Sequence, residues 1–106
     1  MAWCYLFLAG LFETCWAVGM KLSHGFSRPG WALFTAITMA FSVWLLALAM
    51  RALPMGSSYA IWTGIGAVGT AVVGILIFKE PTSLWRILSL LCIVVGIIGL
   101  KLSTPN

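Results

Sequence analysis

Four long apolar stretches, separated by short segments, constrain the fold of this chain more than any other feature. They cover about residues 2–20, 31–50, 57–78 and 84–102. Because a helix rises about 1.5 Å per residue, roughly 20 residues cross the ~30 Å hydrocarbon core of a bilayer. Only 8% of the side chains are charged, far below the roughly one quarter of a soluble domain. The sequence therefore predicts an all-α membrane protein, with one four-helix transmembrane domain over residues 1–106.

The segments between the stretches are short and contain Pro or Gly, at residues 23–30, 51–56 and 79–83. Short connections predict that successive helices run antiparallel as neighbours. Four crossings of about 20 residues leave little chain for anything else, which excludes an enzyme or binding domain outside the membrane.

The six basic residues are dispersed over the connecting segments and helix ends, a pattern typical of anchoring at lipid headgroups and not of a nucleic-acid partner. Their distribution across the membrane is nearly balanced, and so it orients the chain only weakly. Because this charge bias is weak, the chain can insert into the membrane in either orientation. Two copies in opposite orientations would form an inverted pair, the symmetry that many transporters build from two repeats in one chain. A single orientation, with the first connection cytoplasmic, is the alternative. One side carries Lys21, Arg28, Lys79 and Arg86, and the other carries Arg51 and Lys101.

Glu13 lies near the middle of the first stretch, where an acidic side chain costs about 2.5–3.5 kcal/mol on insertion scales. Its helical neighbours Ala9, Gly10 and Ala17 are small, and Trp16 is aromatic. This pattern predicts a cleft beside the carboxylate with an indole wall. The alternative is a protonated acid that only hydrogen-bonds another helix.

The second and third stretches offer polar and aromatic partners at similar depth. Thr35, Thr38 and Ser42 form a hydroxyl stripe, which is also a common means of holding two membrane helices together. Tyr59 and Trp62 share a face of the third stretch and present a phenol and an indole. We expect Ser42, Tyr59 and Trp62 to surround the acid.

Small residues on the last two stretches predict close helix packing. Gly64 and Gly66 indicate a bend or a close backbone approach in the third helix. Ser89, Cys92 and Gly96 recur on one face of the fourth stretch, and this face is interpreted as the seam of a dimer.

A lone intramembrane carboxylate among aromatic rings suits a small planar cation such as guanidinium, which matches a carboxylate in fork geometry and is attracted by aromatic faces. No nucleophile–base pair, metal-ligand spacing or phosphate loop accompanies Glu13, so the sequence predicts neither an enzyme nor a metal or cofactor site. Burial favours the neutral acid, so such a group can trade a proton for a cation. Protons are then the coupling ion of an antiporter.

The motifs GLFETCWA at residues 10–17, SYAIWTGIG at 58–66 and GIIGLK at 96–101, with the Leu53-Pro54 turn, resemble the small multidrug resistance transporters. The resemblance covers nearly the whole chain and is strongest to the guanidinium-exporter branch. It implies an antiparallel, dual-topology homodimer in the bacterial inner membrane that exports guanidinium and small substituted guanidinium cations by alternating access, in exchange for protons.

The resemblance also implies a role for each matching residue. Glu13 would bind proton and substrate in turn, and Gly10 would pack beside the acid. The surrounding network would consist of Trp16, Ser42, Tyr59 and Trp62. The third helix would bend at Gly64 and Gly66, and the dimer contact would be made by Ser89 and Gly96. Two alternatives stay open. The nearer is a polyspecific exporter of quaternary ammonium drugs, and the other is a non-transporting accessory membrane subunit.

Overall fold

The computed structural model describes residues 1–104, which form four helices and their connections. The helices are α1 (Ala2–Leu22), α2 (Pro29–Ala49), α3 (Met55–Leu76) and α4 (Leu84–Ser103). Each begins and ends within two residues of the apolar stretch that predicted it. All four are long and apolar enough to cross a membrane. The prediction of an all-α chain with four membrane spans is confirmed over this part of the sequence.

Local sequence explains where the helices begin. Pro29 occupies the first position of α2, where its fixed φ suits a helix and no hydrogen bond needs its missing N–H. Pro54 immediately precedes α3. Ser83 caps α4, because its hydroxyl accepts a hydrogen bond from the backbone N–H of Arg86 at 3.2 Å. The connections are therefore tight, and neighbouring helices run in opposite directions.

The tight packing lies at one end of the unit. Helix α1 contacts both α2 and α3, and the buried apolar side chains come from the first half of α1, the end of α2 and the start of α3. The second half of α1 contributes only one buried residue, Gly19. The helices are thus joined firmly near the start of α1 and leave room between α1 and α3 further along. The core residues are Ala2, Leu6, Ala9, Leu45, Leu46, Ala49, Leu53 and Ile61.

Helix α4 lies against α3 and contains no buried residue. The approach depends on Gly64, where a β-carbon would lie 2.9 Å from the Cδ1 atom of Ile97. Gly96 is on another side of α4, and a β-carbon there would have no atom of another helix within 4 Å in the described part of the chain. Most of the apolar surface of α4 therefore faces away from the rest of the chain.

Candidate functional site

A cavity of about 430 Å³ lies between α1 and α3, in the half of the unit where the helices are less tightly packed. Its wall contains one carboxylate from α1 and a second from the segment after α3. The residues that line it are Glu13, Trp16, Ala17, Val18 and Lys21 of α1, Thr63, Gly66, Ala67, Thr70, Ala71, Val73 and Gly74 of α3, and Phe78 and Glu80.

The cavity exists because one face of α3 carries almost no bulky side chain. Thr63, Gly66, Ala67, Thr70 and Gly74 recur at spacings of three and four residues, which places them on a single helical face. Opposite this face, α1 presents the long side chains of Glu13 and Trp16 and the small Ala17. Small residues on one wall and few large ones on the other leave a space that the two helices do not fill.

Glu13 lies directly against Gly66. A β-carbon at Gly66 would collide with the Oε1 and Cδ atoms of the carboxyl group and would lie 2.7 Å from its Cγ atom. Within the described residues, Glu13 Oε1 is buried and has no hydrogen-bond partner. A buried polar atom without a partner is costly. A proton or a bound cation would remove this cost.

Trp16 contributes a second unpartnered group to the same cavity. Its indole Nε1 is buried and makes no hydrogen bond within the part of the chain that the structure describes. The cavity wall therefore holds an acceptor on Glu13, a donor on Trp16 and an aromatic face one helical turn away from the acid. Aromatic faces attract cations through the ring quadrupole. The carboxyl oxygen of Glu13 and the aromatic face of Trp16 can together bind a cation.

Ser42, Trp62 and Tyr59 form a connected group beside α1 and are not among the residues that line the cavity. The Trp62 indole donates to Ser42 Oγ at 2.9 Å, and Ser42 Oγ donates to the backbone oxygen of Ala9 at 2.7 Å. The Tyr59 and Trp62 rings are 5.5 Å apart. The structure thus places Trp16 in the cavity wall with the acid. Ser42 and Trp62 form a hydrogen-bonded bridge from α2 and α3 to Ala9 of α1, one turn before Glu13, and Tyr59 packs on Trp62.

Gly10 packs against α3 and so helps to fix the height of the acid. A β-carbon at Gly10 would lie 2.5 Å from the Cγ2 atom of Ile65. Thr14, which the sequence patterns do not single out, has its hydroxyl 3.4 Å from the Gly10 oxygen and 3.5 Å from the Gly66 oxygen. Thr14 also packs against Gly69. The residues before and after Glu13 therefore hold α1 and α3 together on both sides of the carboxylate.

The glycines of α3 and the small residues of α4 have separate positions. Gly64 contacts α4 and Gly66 contacts Glu13, and both lie within one continuous helix. Ser89 donates to the Trp85 oxygen of its own helix at 2.8 Å and is exposed, and Gly96 is exposed as well. Within one chain, Ser89 and Gly96 form an open surface.

Thr63 and Thr70 also line the cavity and are not among the predicted site residues. Their signal is present in the sequence as small residues at helical spacing on α3. That pattern equally predicts contact between helices, so by itself it does not identify a cavity.

Comparison with known proteins identifies the family. The sequence profile described as Small Multidrug Resistance protein matches residues 1–93. The chain belongs to the small multidrug resistance family. It is 59% identical over 104 residues to a protein of Yersinia pseudotuberculosis serotype I (strain IP32953) named guanidinium exporter, covering 98% of this chain and all of the relative. Two further relatives with the same name, from Proteus vulgaris and Citrobacter freundii, are each 54% identical over 104 residues, covering 98% of this chain and 100% and 99% of the relatives.

Membership of the small multidrug resistance family confirms the resemblance stated from the sequence motifs. It is a family of membrane transporters, and the four long apolar helices agree with it. This member of the family is therefore a multi-pass membrane transporter and not an enzyme.

Proposed function

We propose that this small multidrug resistance protein exports guanidinium and small substituted guanidinium cations in exchange for protons. Its relatives at 54–59% identity over 98% of the chain carry the name guanidinium exporter. The observation that carries the proposal is the buried, unpartnered carboxyl oxygen of Glu13 in a cavity that it shares with the indole of Trp16.

Proton and cation compete for Glu13 in this proposal. A carboxyl group away from water is stable when it is neutral or when it is paired with a cation, and unstable when it is charged and alone. Binding of a cation therefore releases the proton, and binding of a proton releases the cation. If the cavity opens alternately to the two sides of the membrane, this competition alone couples the two fluxes.

The remaining site residues have supporting roles in the proposal. The face of Trp16 attracts the cation. Ser42 and Trp62 form the hydrogen-bonded bridge that fixes α1 relative to α2 and α3, and Tyr59 packs on the Trp62 ring. Gly10 and Gly66 allow the close approach on which the position of Glu13 depends. Gly64 and Gly66 lie where α3 would bend between the two open states.

We further propose that two copies act together, inserted in opposite orientations in the inner membrane of a bacterium. A single chain carries one acid in its cavity-forming helices, and the nearly balanced distribution of basic residues favours both orientations. The surface of α4 that includes Ser89 and Gly96 is free within the chain and has the small residues that membrane helices use for close contact. We assign the dimer contact to this surface.

Transport by purified protein in liposomes tests the function. Guanidinium added outside should drive proton movement that a pH-sensitive dye reports, and the Glu13→Gln variant should show none. If correctly inserted wild-type protein moves no protons on addition of guanidinium, the antiporter proposal is wrong. If Glu13→Gln retains exchange, Glu13 is only a packing residue and the competition of proton and cation at this carboxylate is refuted.

A second candidate function is export of bulkier quaternary ammonium cations. The cavity volume of about 430 Å³ favours it, because cavities of about 300–1,000 Å³ accommodate drug-sized ligands and guanidinium is much smaller. Transport rates of guanidinium and tetrapropylammonium, measured in the same liposomes, separate the two functions. Faster turnover of tetrapropylammonium would favour the second.

A further inference from the structure

A second carboxylate, on Glu80, lies in the wall of the cavity that contains Glu13. The segment after α3 folds back so that the Glu80 N–H donates to the Gly74 oxygen at 3.0 Å. A β-carbon at Gly74 would lie 2.6 Å from Glu80 Oε1, so this carboxylate also lies on a glycine of α3. Gly66 and Gly74 are eight residues apart, which corresponds to about 12 Å along the helix. The two acids therefore occupy different depths of one cavity.

Glu80 is already paired with a guanidinium group. Arg86 Nη2 lies 3.6 Å from Glu80 Oε1, and Arg86 Nη1 donates to the backbone oxygen of Pro81. The side chains of Arg86 and Glu80 are 41% and 39% exposed, so water reaches both. An exposed pair with a single long contact is weak. The guanidinium group of Arg86 can therefore be displaced from the carboxylate without leaving either charge buried.

The charge at this end of the cavity would otherwise repel a cation. Lys21 lines the cavity, and its Nζ atom lies 5.2 Å from the centre of the Phe78 ring. Arg86 is paired with Glu80, and Lys21 lines the same cavity as Glu80, which is the only acidic side chain besides Glu13 in the whole sequence. Without Glu80, a cation on its way to Glu13 would meet positive charge alone.

We propose that Glu80 is an outer binding station for guanidinium cations, at which the substrate replaces the Arg86 guanidinium before it passes to Glu13. This inference rests on the proposed function, because it assigns the path by which the same substrate reaches the inner carboxylate. The station recognises the planar fork of donors that Arg86 and a free guanidinium ion share. It discriminates against quaternary ammonium ions, which have no N–H group to donate.

Transport kinetics test the station through KM. Removing the charge with Glu80→Gln should raise KM for guanidinium about two- to fivefold, with kcat nearly unchanged because Glu13 is intact. Arg86→Gln removes the competing group and should lower KM. Lys79→Gln is the matched control for Arg86→Gln, because it also removes one positive charge next to Glu80 in sequence, but Arg86 and not Lys79 is paired with the Glu80 carboxylate among the described residues, so KM should change much less. The station is refuted if Glu80→Gln leaves KM unchanged, or if kcat falls by a factor as large as the rise in KM.

Binding to Arg86 gives a readout that does not depend on transport. Guanidinium chloride should shift the NMR signal of the Arg86 Nε–H group in wild-type protein and in the Glu13→Gln variant. Tetramethylammonium chloride at the same concentration should leave the signal in place, and Glu80→Gln should abolish the response. If guanidinium shifts the Arg86 signal but wild-type protein shows no transport, the proposed function is wrong and the binding station at Glu80 is still supported. Transport without a shift would retain the function and refute the station.

Discussion

The Glu13 carboxyl group lies on the backbone of Gly66, one helix away, with no space between them for a β-carbon. The position of the acid is therefore set by the absence of a side chain on α3. This relationship links a residue that carries charge to one that carries no functional group.

Replacement of Gly66 by alanine should damage transport strongly. The new β-carbon would collide with two atoms of the carboxyl group, and so Glu13 would have to move into the cavity or α3 would have to move away. We expect the rate of guanidinium exchange in liposomes to fall at least about tenfold, since a misplacement of about 1 Å in a binding group has effects of this size or larger. Helix content should be retained.

Gly56→Ala is the matched control for this change. Gly56 also lies in α3, in its first turn, and a β-carbon at this position would meet no other atom within 4 Å. Its replacement should leave exchange at the wild-type rate. Equal rates for Gly66→Ala and Gly56→Ala would show that the contact with Glu13 has no part in transport.

Shortening the acid should move the pH dependence of exchange. Glu13→Asp retains a carboxyl group, but aspartic acid is the stronger acid in model peptides by roughly half a pH unit. A stronger acid needs a lower pH to take up the proton that displaces the cation, so the optimum should shift to lower pH. Guanidinium exchange measured from about pH 6 to about pH 9 checks this. A profile that matches that of the wild type would contradict the competition at Glu13.

The hydroxyl of Ser42 should contribute to the stability of the helix assembly. It joins the Trp62 indole to the Ala9 oxygen, so Ser42→Ala leaves the part-buried Trp62 N–H without a partner and removes the side-chain link between α1 and α2, while the Ala9 oxygen keeps only the hydrogen bond of its own helix. We expect the free energy of unfolding in a detergent titration to fall by about 1–2 kcal/mol. Ser103→Ala is the control, because the Ser103 hydroxyl bonds only to its own helix and is exposed. An equal effect of both changes would argue against the bridge.

Sequence patterns predict the helices well because the physics that sets their bounds is local. About 20 apolar residues are needed to cross the bilayer, and proline or a capping serine marks where a helix begins. The position of Glu13 in the middle of its span, and the aromatic character of Trp16 one turn away, follow from helical spacing alone.

The arrangement of the site is harder to predict because it depends on which faces of different helices meet. The sequence predicts Ser42, Tyr59 and Trp62 around the acid, whereas in the structure Ser42 and Trp62 form a bridge to the Ala9 oxygen, Tyr59 packs on Trp62, and none of the three lines the cavity. Glu80 has the sequence context of an ordinary connecting segment, since nothing near it indicates that the chain folds back onto Gly74. Contacts of this kind depend on side chains that are distant in sequence.

Substitutions at Gly64 and Gly96 distinguish packing within one chain from packing between two chains. A β-carbon at Gly64 would lie 2.9 Å from Ile97, whereas one at Gly96 would meet no atom of another helix within 4 Å among residues 1–104. We therefore expect Gly64→Ala to lower the stability of each chain by displacing α4. Gly96→Ile should leave the folded chain intact and weaken the association of two copies, because a bulky side chain would block the small-residue surface of α4. Energy transfer between labelled chains in liposomes measures the association, and thermal unfolding measures the stability. Undiminished energy transfer in Gly96→Ile would remove the dimer contact from this surface of α4.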